Sequence, residues 1–146
     1  MADWDHRFMD LARHVGNWSK DRSRQVGCVI VGPDNFIRTI GYNGFPRGLD
    51  DDLGERHERP AKYLWTEHAE RNAIYAAARI GISLAGCRMY LPWFPCVDCA
   101  RAMVQTGIIE LIGTKPDLRD VKWGDDFAVA LKMLEEAGVA VRYIVA

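Results

Sequence analysis

Residues 66–80 (TEHAERNAIYAAARI) and 95–99 (PCVDC) put a His-x-Glu and a Pro-Cys-x-x-Cys into one chain of 146 residues. No other feature constrains the chain as much. A catalytic zinc takes three nitrogen or sulfur ligands from protein and leaves a fourth position to water. His68, Cys96 and Cys99 make up such a set. The stretches HAERNAIYAAARI and CVDCARAMVQT both predict helices, which puts His68 and Cys96 in first turns. A helix N-terminus favours thiolate over thiol, and so does a bound metal. Cys96 and Cys99, three residues apart, share one helical face and can reach one ion. Glu70, two residues after His68, stands beside the metal without being needed as a ligand and is free to carry protons.

Either half alone has ordinary readings. A C-x-x-C can be a redox pair, and His-x-Glu recurs by chance. A structural zinc needs a fourth ligand, and Cys28, Cys87, His6, His14 and His57 are scattered without a regular spacing. The joint pattern, with proline just before the first cysteine, points to one catalytic zinc. Cys28 and Cys87 lie in apolar runs (GCVIV, GCRMYL) and read as small buried strand residues. Four cysteines without a paired framework fit a reducing compartment, so the expected location is the cytoplasm.

Composition narrows the function class. The net charge is −1 and no lysine–arginine stripe occurs, which disfavours nucleic acid as the main partner and leaves room for a local basic pocket. No apolar stretch approaches the roughly 20 residues a membrane helix needs, and MADWDHRFMD is too charged for a secretory signal.

Phe8, Leu11, Ala12, Val15 and Trp18 recur at helical spacing and predict an amphipathic first helix, with His6 and His14 off its apolar stripe. VGCVIV predicts a central strand buried on both faces, GPDN a turn, and FIRTIGYN the hairpin partner. Residues 41–60 lack a period and read as a long functional loop. A helix over 67–80 ends at Gly81; Ala69, Ala73, Ile74, Ala76, Ala77 and Ile80 occupy more than one stripe, which predicts burial against the sheet and a second subunit. CRMYLP is the third strand and delivers the cysteines to its carboxyl end, where α/β sheets bind ligands. IIELIG is the fourth strand, Phe127, Ala130, Leu131, Leu134 and Ala137 mark a last helix, and Val139, Val141, Tyr143 and Val145 mark a fifth strand. The expected fold is a single α/β domain over 1–146, a three-layer α/β/α sandwich on a mixed five-stranded sheet.

Zinc makes hydroxide available near neutral pH, and a carboxylate alongside can take the water's proton, deliver it to a ring nitrogen and protonate a departing amine. The matching electrophile is an amino-substituted, electron-poor ring carbon. His-x-Glu with Pro-Cys-x-x-Cys resembles the zinc nucleobase deaminases. SKDRSRQVG, GYNGFPRGLDDD, KYLWTEHAERNAI and FPCVDCARAMVQTGI, in this order over most of the chain, resemble the deoxycytidylate (dCMP) deaminases. The resemblance implies the cytidine deaminase-like fold and hydrolysis of dCMP to dUMP and ammonia by a zinc-dependent homo-oligomer, hexameric or dimer-based. It implies Glu70 as proton shuttle, His68, Cys96 and Cys99 as zinc ligands, and Asn43 at the sugar, with Ala69 and Pro95 also at the substrate. It makes Gly41, Tyr42, Gly44 and Arg47 candidates for a regulatory loop answering to dCTP and dTTP, with Mg2+ accompanying a nucleotide effector. For a phosphate the chain offers Arg24 first, Lys20 second, then Arg22 and Arg47, because guanidinium grips phosphate oxygens in pairs. Where relatives carry a Tyr-His-Asp-like stretch, this chain reads DVKWGDD. Other cytosine nucleotides or amino-heterocycles (dCTP, CMP, a modified dCMP) and a non-catalytic nucleotide-binding zinc protein are the alternatives.

Overall fold

A computed structural model of the chain describes residues 3–144. The elements in chain order are α1 (Asp3–Gly16), β1 (Gly27–Val31), β2 (Ile37–Tyr42), α2 (Gly54–His57), α3 (Lys62–Trp65), α4 (Ala69–Ile80), β3 (Arg88–Tyr90), α5 (Val97–Gln105), β4 (Glu110–Gly113), α6 (Gly124–Glu136) and β5 (Ala140–Tyr143). The five strands form one sheet in the order β2-β1-β3-β4-β5. β1 runs antiparallel to both neighbours, and β3, β4 and β5 are mutually parallel. The sheet is therefore mixed and opens with a hairpin, as expected. Every residue of β1 is buried, which is why GCVIV is apolar without alternation.

Alternation along the strands sorts two cores. Cys28, Ile30, Met89 and Leu111 point toward α4, α5 and α6 and join Ala73, Met103, Phe127 and Leu134 in the larger core. Val29, Val31, Tyr90 and Ile112 point the other way and meet Phe8, Met9 and Ala12 of α1. The result is the expected three-layer sandwich, with one helix on one face and three on the other. A polar seam closes the α1 face: Tyr90 donates to Asp5 Oδ1 at 2.5 Å and Arg142 of β5 donates to Asp5 Oδ2 at 2.9 Å.

The helix that carries the His-x-Glu sits unusually close to the sheet. Thr39 donates its hydroxyl to Ala73 O at 2.8 Å. Two residues on, a Cβ at Gly41 would stand 2.4 Å from Ala73 N and 2.5 Å from Ala69 O. Gly41 is thus a seat for α4 and not part of an exposed loop.

Several boundaries differ from expectation. His68 and Cys96 are N-cap residues in extended conformation (ψ 152° and 172°), one position before the helices that were expected to contain them. Trp18 lies beyond α1, where Asn17 and Trp18 N–H bonds to His14 and Val15 O turn the chain, and it is 49% exposed instead of core. Ile80 is 71% exposed, so α4 buries one face against the sheet and presents the other outward. The loop after β2 is partly ordered by the single helical turns α2 and α3. Val145 lies outside the described residues.

Replacing Gly41 by alanine is expected to push α4 off the sheet, at a cost of about 1–3 kcal/mol. Thermal or denaturant unfolding measures that loss, and unchanged stability would show that the contact is not tight.

Candidate active site

Two helix starts converge at the carboxyl end of the sheet's centre. His68 Nδ1 stands 3.4 Å from Cys96 Sγ and 3.4 Å from Cys99 Sγ. All three ligand atoms lie within 4.8 Å of one another, and they are the one group of three or more His, Cys, Asp or Glu able to hold a metal among the described residues. Two tetrahedral ligands at zinc's usual nitrogen and sulfur distances would stand about 3.6 Å apart, so the set fits the ion. Its softness favours zinc, and three protein ligands leave one position open.

The thiols share their protons unevenly. The Cys99 thiol donates to Cys96 Sγ and, with His68, outweighs burial to hold Cys96 down at about 4. The same bond and then burial push Cys99 up. The hydrogen bond with Cys96 raises His68 against its burial.

Glu70 lies in the first turn of α4 and is 3% exposed. Burial pushes its carboxyl up, against the pull of His68. It faces the same cavity as His68 and Cys96.

Arg71 staples the two metal-bearing helices together. It donates to Glu67 Oε1 at 2.7 Å and faces Asp98 at 3.6 Å. Glu67 in turn accepts the His68 N–H at 2.9 Å. Gly44 exchanges backbone bonds with Glu67, at 3.1 and 2.8 Å, and so ties the loop after β2 to the residue before the histidine.

The cavity measures about 450 Å³. Its floor is His68, Ala69, Glu70 and Cys96; its walls come from segments 21–26, 59–66, 93–94 and 122–127. Asn43 lines it and is locked in place: Oδ1 accepts the Val26 N–H at 2.9 Å and Nδ2 donates to Arg24 O at 2.8 Å. Each end of that amide keeps one further site for hydrogen bonding. Arg24 lies flat on Trp93, 3.8 Å from the ring centroid, at the cavity wall.

Lys20 is elsewhere. It pairs with Asp51 and Asp52 at 2.8 and 3.2 Å and does not reach the cavity. Arg22, Arg47, Gly41, Tyr42, Gly44 and Pro95 also lie off its lining. Pro95 is buried between Phe94 and Cys96, and Tyr42 offers its carbonyl to Asn72. His57 stacks on Phe45 at 4.8 Å and bonds to Asp51 O.

In place of Lys20, tertiary folding brings in cations that sequence reasoning passed over. Lys62 of α3 pairs with Asp21 at 3.1 Å and donates to Ser23 Oγ at 2.7 Å. Asp21 also accepts the Ser23 and Arg24 N–H groups, so it shapes the loop that carries Arg24. Arg59 and Lys122 both donate to the Tyr63 hydroxyl. Partial burial and then the neighbouring charges of Arg59 and Lys62 pull Lys122 down. Two cations from segments some sixty residues apart thus meet at one phenolic oxygen at the mouth, with Lys62 close by on Asp21 and Ser23. The only sequence signals were the aperiodic loop holding Arg59 and the departure DVKWGDD holding Lys122, Trp123 and Asp126.

The profile of the cytidine and deoxycytidylate deaminase zinc-binding region matches residues 2–114. This chain belongs to that deaminase family. It is 41% identical over 147 residues to an uncharacterized deaminase of Aliivibrio fischeri, covering 99% of this chain and 95% of that protein. It is 36% identical to the deoxycytidylate deaminase of Homo sapiens, over 96% of this chain and 79% of that one. The dCMP deaminase of cyanophage S-TIM5, solved with dCMP and dUMP, superposes with a TM-score of 0.80 over 99% of this deaminase and 98% of that chain, at 22% identity. A tRNA:A34 deaminase superposes at 0.61 with 22% identity, over 95% of this chain and 98% of that one. At that identity both structures show the shared fold.

One zinc per chain is expected by elemental analysis. Chelation should lower the unfolding temperature and abolish deaminase activity, with both restored by zinc. Cys99→Ser should purify with well under one equivalent; full occupancy in that variant would remove Cys99 from the ligand set.

Proposed function

We propose that this deaminase converts dCMP to dUMP and ammonia, with His68, Cys96 and Cys99 holding zinc and Glu70 moving protons. The observation that carries the reading is a buried carboxylate beside a three-ligand metal set, at the floor of a cavity whose mouth is lined by cations. The family and its deoxycytidylate deaminase relatives support the substrate.

Zinc, when bound, supplies a nucleophile at neutral pH by lowering the pKa of water from about 16 toward 7. Glu70 takes the proton lost from water and gives it to the ring nitrogen next to the reacting carbon. As the water oxygen bonds to that carbon, Glu70 takes its remaining proton and passes it to the exocyclic amine; the carbon–nitrogen bond then breaks, and ammonia leaves a ring carbonyl behind. Burial of Glu70 suits both halves of this task, because a carboxylate shielded from water binds a proton more readily and can still release it. Asn43 presents its remaining amide sites to the sugar. Trp93 and Phe94 give an apolar wall for the ring.

Arg24 anchors the phosphate, helped by Arg59 and Lys122, which pair with no carboxylate among the described residues, and by Lys62, which Asp21 and Ser23 hold in place. Four cations at one mouth also favour a second reading, a cytosine nucleotide with more phosphates such as dCTP. The resemblance over most of the chain extends the proposal to a homo-oligomer, its match over residues 41–48 to one that answers to dCTP and dTTP, and the four cysteines without a paired framework to the cytoplasm. The outward apolar face of α4, with Tyr75 and Ile80, supports the oligomer.

A panel of deoxycytidine, dCMP, CMP and dCTP, followed by the loss of cytosine absorbance, tests the substrate. The expected order puts dCMP first, and a zinc-loaded protein inert toward dCMP would refute the reading. Glu70→Gln should keep its zinc and lose at least a hundredfold in kcat. Lys122→Ala should raise KM for dCMP about tenfold to a hundredfold, the worth of one hydrogen bond to a charged group, and leave kcat nearly unchanged.

A further inference from the structure

Helix α5 begins with a problem that its own sequence cannot solve. The first N–H groups of a helix have no intrahelical partner, and the N-cap side chain ordinarily accepts one of them. Here the N-cap is Cys96, whose sulfur belongs to the metal set and makes no cap hydrogen bond. The first of these N–H groups, which no N-cap side chain reaches, finds its acceptor on another element: Val97 N–H donates to Asp126 Oδ2 of α6, 29 positions along the chain, at 3.0 Å.

Asp126 is itself held firmly. The start of α6 is bonded through Gly124 N to Asp120 O at 2.9 Å, and a Cβ at Gly124 would stand 2.4 Å from Leu118 O, so the helix start is pressed onto the preceding connection. Phe127, the next residue, is packed in the larger core against Phe94, with ring centroids 5.7 Å apart. Asp126 is half-buried, and no lysine or arginine pairs with it among the described residues. A half-buried carboxylate without a cation, aimed at the peptide that follows a metal ligand, has a narrow set of uses.

We infer that Asp126 is a positioning residue for the metal site: it fixes the peptide between Cys96 and Val97 and so sets the direction of the Cys96 sulfur toward His68. Partners that orient ligands in this way commonly change metal affinity or activity about tenfold to a hundredfold when removed. The inference rests on the family's zinc set and is independent of which nucleotide is deaminated.

The test compares Asp126→Ala and Asp126→Asn with the parent as zinc-loaded full chains. Zinc affinity is read by competition with a chromophoric chelator, and unfolding temperature is read with and without zinc. The alanine variant should bind zinc about tenfold to a hundredfold more weakly, and the stabilisation conferred by zinc should shrink. Its kcat should fall while KM for dCMP stays within about twofold. The asparagine variant, which keeps an oxygen for Val97 N–H, should recover most of the affinity. If the alanine variant fails to fold, Asp126→Ser, whose hydroxyl falls one bond short, is read in its place. Unchanged zinc affinity would overturn the inference: with equal losses of stability in the presence and absence of zinc, Asp126 would be an ordinary cap, and with a raised KM it would be a substrate contact.

Discussion

Two thiolates and an imidazole crowded within a few ångströms are stable together only if something positive stands between and behind them. In this protein the starts of α4 and α5 aim at that point, His68 and Cys96 being their N-cap residues. Helix N-termini carry partial positive charge and unpaired N–H groups, so they lower the cost of gathering anions. Arg71 adds a full charge behind the cysteines and links the α4 side to the α5 side through Glu67 and Asp98.

The rest of the fold serves that convergence. β1 and β3 are central and fully buried or nearly so, which gives the loops at their ends a rigid base. Gly41 lets α4 lie against β2 at backbone distance, and the Thr39 hydroxyl holds it there. One helix covers the face away from the site, and three cover the face that bears it. The layer with more helix ends is the layer in which the chemistry is assembled.

The cavity divides into a floor that carries the candidate metal set and Glu70, and walls built from charged and aromatic side chains. The floor is short-range: His68, Glu70, Cys96 and Cys99 come from two tight motifs. The walls come from four segments, and they meet through contacts such as Lys62 with Asp21 and Arg59 and Lys122 with Tyr63. A tRNA deaminase and a dCMP deaminase share this fold with the chain.

The mixed five-stranded sheet, its hairpin opening and the candidate metal set were legible in the sequence. Period-two and period-3.6 patterns and the His-x-Glu and Cys-x-x-Cys spacings are set by local backbone geometry, and local geometry is what a sequence records. The place of Arg24 at the cavity wall was also legible, because it lies within SKDRSRQ just before the first strand. Lys20 was misplaced for a reason no spacing could reveal: Asp51 and Asp52, more than thirty residues away, fold back and take it. The exposure of Trp18, the arrival of Lys62 and Lys122 at the mouth, and the capping of Val97 by Asp126 depend likewise on contacts distant in sequence. The sequence alone determined which atoms can hold a metal and move a proton. Tertiary structure decided which charges face them, because an ion pair or a borrowed helix cap is chosen by proximity in space, and aperiodic loops leave no local pattern of where they will close.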